Sequence, residues 1–295
     1  IYVTSTGGNG PLSWSKYMIT GNPVDSVLYE STKFHHCFSG TSDINNVFAC
    51  GLDTVLNRAV IFQYSFLTNS HTVLYVGPIN SQLNDIGYSP TSNDYFAVGE
   101  NGLIVQFDDG QPGVVVLTPL VQNLTSISFF NNEFWIGANG YRIYGQDDNP
   151  GLSITVNDAV PIWDLHDVIL TASSDGYGVG NFVYHTSSGY TDLQNYYDFG
   201  PLNGQCAFIR NGYRFVGTDH GIFRTVSNSL PSINNPFERQ LDALQHDIRE
   251  FWSEDISENI YACGTNGTLL QDGPYQYGGN SKPYVSVALG PNGGC

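Results

Sequence analysis

The stretch Tyr95–Phe107, YFAVGENGLIVQF, has an apolar run, a Gly-Glu-Asn-Gly turn and a second apolar run. The pattern returns as EFWIGANGYRIYG from Glu133, RFVGTDHGIFRTV from Arg214 and IYACGTNGTLLQDG from Ile260. Every position from Tyr95 to Val98 is apolar or aromatic. A strand without a polar face is covered on both sides. The turn residues are Gly and Asn, which tolerate the left-handed backbone that tight hairpins need. Weaker copies begin at Ile1, Asn46 and Asp167, and the repeat then has anchor positions at 5, 51, 99, 137, 173, 217 and 264. Steps of 36 to 48 residues separate them, counting the step across the chain ends from 264 to 5. Several strands at such a period are the signature of propeller blades.

Each hairpin is flanked by two further strands. In the third unit these are 83–89 and 113–119; in the fourth, 125–130 and 152–156. The other inner strands expected are 34–40, 161–166, 206–211 and 248–254. The first unit starts directly on a hairpin strand, and the segment 284–289, YVSVAL, supplies its missing inner strand from the C-terminus. The expectation is therefore an all-β, seven-bladed propeller of four-stranded antiparallel blades, one domain over residues 1–295, closed by the C-terminal strand. Closure removes open sheet edges. One stretch departs from the pattern: Leu241, Leu244 and Ile248 within 235–252 have helical spacing and predict a short helix.

The units resemble the seven-bladed propellers of the photosystem II assembly-factor type, and more loosely sialidase-like repeats. The resemblance lies in an apolar strand ending in Val-Gly, Ile-Gly or Cys-Gly, then Asn-Gly, then a strand such as LIVQFDDG, and it runs over nearly the whole chain. It implies the architecture. The docking function of those assembly factors, which depends on an arginine patch, does not carry over: Arg58, Arg142, Arg210, Arg214, Arg224, Arg239 and Arg249 are scattered over the units. A sialidase would need a triad of inward arginines, and the Asp-box pattern is absent from SSDGYG at Ser173–Gly178.

Charge narrows the function. The chain of 295 residues has 10 Lys and Arg against 27 Asp and Glu, a formal charge of −17. So few cations cannot displace the counterions of nucleic acid, nor hold an anionic lipid surface. No apolar run approaches the roughly 20 residues that span a bilayer. A start at Ile1 without Met, only three lysines, and the sequons Asn123-Leu-Thr and Asn266-Gly-Thr together predict a secreted, extracellular glycoprotein.

Polar residues near the starts of the inner strands are the candidate site: His35, Asp85, Asp164, Asp247 and Arg249, with His36, Thr125, Trp163 and Gln205 beside them. They form either a pocket for a cation or sugar or the wall of a water-filled channel, and the second reading is favoured. His35-His36, His166 with Asp164 and Asp167, and Asp219-His220 lack the spacing of zinc motifs, so no metal or other cofactor is expected. The paired acids in FDDGQPG and GQDDNPG are read as Asp-rich turns, since the loops are too short to supply a calcium shell. Tyr196 and Tyr197, in a polar loop, and Tyr275 and Tyr277 are candidate contact residues, because tyrosine packs on sugars and proteins.

Five cysteines leave at least one without a partner in the chain. Cys37 and Cys50, equidistant from a strand turn, are expected to bridge, and Cys206 with Cys263 could bridge neighbouring units, leaving Cys295. Five buried thiols are the alternative. The functional expectation is a non-catalytic binding or assembly module whose partner is a protein, a glycan or a copy of itself. The alternative is a carbohydrate-active hydrolase or lyase using Asp85, Asp164 and Asp247.

Overall fold

The structure is a computed structural model that describes residues 2–4, 14–16, 34–42, 45–53, 56–65, 67–68, 70–148, 151–157, 164–173, 175–186, 194–198, 202–210, 212–226, 237–241, 248–253, 260–264 and 269–271. Among these residues the strands form seven antiparallel sheets, each from consecutive strands. The first sheet is the hairpin Tyr2–Thr4 with Trp14–Lys16. The second to sixth sheets have four strands each and begin at Phe34, Leu83, Leu124, Leu165 and Gly204. The seventh has three, beginning at Ile248. From the second sheet to the seventh, the first strand of each lies against the first strand of the next.

The repeated hairpin is the second and third strand of a sheet. In the third sheet these are Asp94–Gly99 and Ile104–Phe107. Asn101 and Gly102 both have positive φ, at 57° and 71°, the backbone for which Asn-Gly is selected. Gly102 is fixed twice over, because a Cβ there would fall 2.0 Å from the Leu120 carbonyl oxygen.

The all-apolar second strands follow from the stacking of sheets. Their side chains alternate between two interfaces. Tyr95 and Ala97 join Phe48, Ile61 and Phe107 between the second and third sheets, whereas Phe96 and Val98 join Leu124, Phe134 and Ile143 between the third and fourth. Trp135 extends the series with Leu165, Val168, Leu170 and Tyr184 between the fourth and fifth. Tyr177, Val179, Val216 and Phe237 form the next layer. Both faces of each strand are thus packed, and no polar face is needed.

Several boundaries differ from the sequence reading. In the fifth sheet the first strand is Leu165–Ala172 and the second is Asp175–Gly180, so the inner strand is not 161–166 and the anchor is not Ser173. Leu165 pairs with Gly180, as Leu83 pairs with Gly99. The reason is packing. Gly176 reads as a turn glycine but is a strand position stripped bare for the Trp135 indole, which a Cβ would approach to 2.8 Å. The segment 235–252 holds strands Phe237–Leu241 and Ile248–Ser253, so Leu241 and Ile248 do not share the expected helix; Phe237 is drawn into the core with Val216, and 242–247 lie outside the described residues. The outer strand expected over 113–119 is reduced to Val114–Val115. Cys37 pairs with Gly51, and Cys50 with Ser39 across a register irregularity, so the opposition expected of Cys37 and Cys50 is not formed. Cys206 lies opposite Gly217 and Cys263 opposite Glu250. Cys295 and the segment 284–289 lie outside the described residues.

Candidate functional site: a polar seam between successive sheets

One register irregularity recurs at the same place in six first strands. Phe34 and His36 pair with adjacent residues of the second strand, as do Leu83 and Asp85, Leu124 and Ser126, Leu165 and Asp167, Gly204 and Cys206, and Ile248 and Glu250. The residue skipped is a β-bulge: His35, Asn84, Thr125, His166, Gln205 or Arg249. A bulge re-aims its side chain out of the pleat, and here the chain is always polar.

Where the contacts are described, the bulge residue reaches the next sheet. Asn84 Nδ2 donates to the Leu124 carbonyl at 2.6 Å. Thr125 Oγ1 donates to the Leu165 carbonyl at 2.6 Å. His166 Nδ1 bonds the Gly204 carbonyl at 2.7 Å, which places the proton on that nitrogen. The following residue makes a second row. Asp85 Oδ2 accepts from the Ile127 N–H at 2.8 Å, Ser126 Oγ from the Val168 N–H at 3.2 Å, and Asp167 Oδ2 from the Ala207 N–H at 2.8 Å. Both carboxylates also accept the N–H of the residue after them, Ile86 and Val168. Ser126 Oγ donates to Asp167 Oδ1. A third row begins with the Leu170 N–H donating to Ser128 Oγ at 3.0 Å. Burial pushes the Asp167 carboxyl above the usual aspartate range, and the Ser126, Ala207 and Val168 donors pull it back only in part.

The seam brings together some expected site residues and not others. Asp85 is within it. His35 and Arg249 occupy its bulge positions. Asp164 stands apart and exposed, its backbone bridged to Asn139. Its charge adds to the burial that pushes the Tyr184 phenol up to about 12. Tyr196 and Tyr197 lie on the outer strand Gln194–Asp198, with Tyr197 opposite Val183, and not in a loop. Asp247, Tyr275, Tyr277 and Asn266 lie outside the described residues, and Asn123 is exposed. Sequence reasoning missed Asn84, Ser126 and Asp167 as members of the seam. The signal was present as an apolar residue followed by two polar ones at each strand start: LND, LTS, LHD and IRE.

The Asp-rich turns are latches of the same kind at other sheet ends. Asp109 accepts from Gln63 Nε2 while the Gly110 N–H donates to Gln63 Oε1 at 2.8 Å. Asp147 accepts from Ser89 Oγ of the preceding sheet, whereas Asp148 accepts from Ser153 Oγ within its own hairpin. Among the described residues no group of three His, Cys, Asp or Glu side chains converges on a point where a metal could sit, and no helix is long and apolar enough to cross a membrane.

A histidine–aspartate contact, buried on the histidine side, lies in the fifth sheet. His185 Nε2 meets Asp175 Oδ1 at 2.7 Å, and its ring stacks on Tyr177 at 4.6 Å. Burial lowers the imidazole's pKa, the Arg214 charge adds to that, and Asp175 opposes both. A folded-state value below the unfolded one means stability that is full above about pH 6.5 and declines as pH falls through the lowered value. Urea titrations at about pH 7.5 and 5 should therefore show the wild type losing more stability on acidification than His185→Gln. Equal losses would show that His185 does not titrate with folding.

No family model matches the chain, and no curated protein matches it by sequence. Solved structures match its fold. The chain is similar to the RRP9 WD40 repeats at a TM-score of 0.66 and 10% identity, covering 89% of this chain and 87% of that one. It is similar to the Myceliophteria thermophila Cps50 (Swd1) β-propeller domain at 0.63 and 11% identity, covering 87% and 91%. The structure of YCF48 bound to D1 peptide matches at 0.59 and 14% identity, covering 83% and 80%. Identities this low speak for the fold alone, and with the stacked antiparallel sheets they establish that the chain is a β-propeller.

Proposed function

We propose that this propeller is a non-catalytic binding or assembly module. The observation that carries the reading is the polar seam: Asp85 and Asp167, the acids at the first-strand starts, hold backbone N–H groups of the neighbouring sheet. Such carboxylates are fastened as structural acceptors. A hydrolase would instead present two carboxyl groups about 5 to 10 Å apart toward a substrate. The neighbour YCF48 was solved with a peptide bound, which adds a precedent for protein partners on this fold.

The finer architecture belongs to the same reading. Seven blades are proposed, with 284–289 as the inner strand beside the hairpin of Tyr2–Thr4 and Trp14–Lys16. The bulge series supports continuity: Gln205 would bond the Ile248 carbonyl, and Arg249 would reach the closing strand. An extracellular setting is proposed from the scarcity of lysine and the exposed sequon at Asn123, with a glycan or a second copy as further partners.

Material from the native source should elute in light-scattering chromatography as a complex larger than the 32.3 kDa chain, and should leave a panel of polysaccharides and glycosides intact. A monomer that cleaves one of those substrates would sink the module reading.

A further inference from the structure

Exposed apolar side chains gather on one rim. Val73, Val76 and Ile79 lie on the outermost strand of the second sheet, Ser70–Ile79, and Val114, Leu117 and Val121 on the segment that ends the third sheet and leads to the fourth. Leu117 is 94% exposed and Val121 76%. The two segments form one surface, because the Gly113 N–H donates to the Leu74 carbonyl at 2.7 Å and Gly113 packs against Tyr75. Ser70–Ile79 is 10 residues long, and among the described residues no strand pairs with its outer side, where the Leu74 carbonyl is taken by Gly113. A long apolar edge is a template for another strand.

The charge around this rim selects the occupant. Between Arg58 and Arg142 the sequence contains no Lys or Arg to offset the acids beside the rim. Asp108 and Asp109 are exposed beside Gly113. A second copy would bring the same cation-free sector and a further −17 of charge against it.

We propose that the rim of Ser70–Ile79 and Gly113–Val121 docks an extended segment of another protein, in which apolar residues alternate with lysine or arginine, by strand addition to the outer edge. Main-chain hydrogen bonds along Ser70–Ile79 on either side of Leu74, whose carbonyl Gly113 already holds, supply the register, the exposed valines and Leu117 take the apolar side chains, and Asp108 and Asp109 face the cations. The inference rests on the module reading and narrows it to one surface and one partner chemistry.

The test is a displayed library of random peptides of about ten residues, the length of the edge strand, selected on the intact chain. Selected peptides should carry net positive charge and alternate apolar residues. Val76→Lys and Leu117→Lys, at exposed positions, should each weaken them by about tenfold or more while circular dichroism stays that of the wild type. Selected peptides that are anionic, or that bind both variants as well as the wild type, overturn the proposal and leave the module reading standing. So does a library that yields no binder on a folded chain. A concentration-dependent dimer abolished by Leu117→Lys assigns the rim to a second copy and equally overturns it. The module reading itself falls only through the turnover of a glycan substrate.

Discussion

Asp167→Ala should lower the unfolding free energy by about 3 kcal/mol, read from urea denaturation. The carboxylate accepts from Ser126 Oγ, from the Val168 N–H and, across the sheet junction, from the Ala207 N–H. Removing it orphans the Ser126 hydroxyl and the Ala207 amide, each costing about 1 to 3 kcal/mol where water cannot enter, while the Val168 N–H keeps Ser126 Oγ as acceptor. Partial rehydration of the Ala207 amide brings the sum down, and hydrogen exchange at that amide should accelerate in the variant. A loss below about 1 kcal/mol would show that the seam fills space without fastening the sheets. Asp167→Asn separates charge from geometry, because it keeps one acceptor oxygen and should lose less. Burial raises the carboxyl's pKa, so the folded chain binds the proton more tightly than the unfolded chain does. The wild type should therefore gain stability relative to Asp167→Asn as pH falls through the raised value, a gain complete below the unfolded aspartate value of about 4.

The repeat was legible because turn chemistry and two-sided burial leave separate marks on a sequence. Asn101-Gly102 has to occupy left-handed backbone, and Tyr95–Val98 has to fill two interfaces at once. Where a copy lacked those marks, the reading slipped. Asp175–Gly180 carries Gly176 and Gly178, which local rules assign to a turn, yet both lie in a strand. Their bareness is dictated by Trp135, across the sheet junction, and by Leu165 on the paired strand, neither of which a window of neighbours shows. The helical spacing of Leu241, Leu244 and Ile248 misled in the same way, since Phe237 takes a place in the core and carries its segment into an outer strand.

The candidate site was half visible for a related reason. Asp85 stood out as an acid near a strand start, but its role depends on the Ile127 amide 42 residues away. The cysteine expectation failed by one position: counting equal distances from a turn gives the partner only in an unbroken ladder. The ladder between Phe34–Ser42 and Asn46–Asp53 is broken twice, once at the recurrent bulge and again between Cys37 and Ser39.

Trp135→Ala should be the more damaging substitution, costing about 4 kcal/mol. The indole is fully buried between the fourth and fifth sheets, against Leu165, Val168, Leu170 and Tyr184. Its loss removes a large apolar surface from a junction that cannot collapse well, because the facing Gly176 has no side chain to move into the void. A second cost lies in Arg142. This guanidinium is 5% exposed, with Cζ 4.7 Å from the Trp135 ring centroid and 5.7 Å from that of Tyr144. A cation placed over an aromatic face gains about 2 kcal/mol when desolvated, and alanine takes the indole away from that charge and leaves a cavity beside it. Trp135→Phe keeps a ring beneath the guanidinium and should cost about half as much. Thermal or urea unfolding of the two variants decides: an alanine variant within about 1 kcal/mol of the phenylalanine variant would show that neither the volume of the ring nor its contact with Arg142 holds the junction.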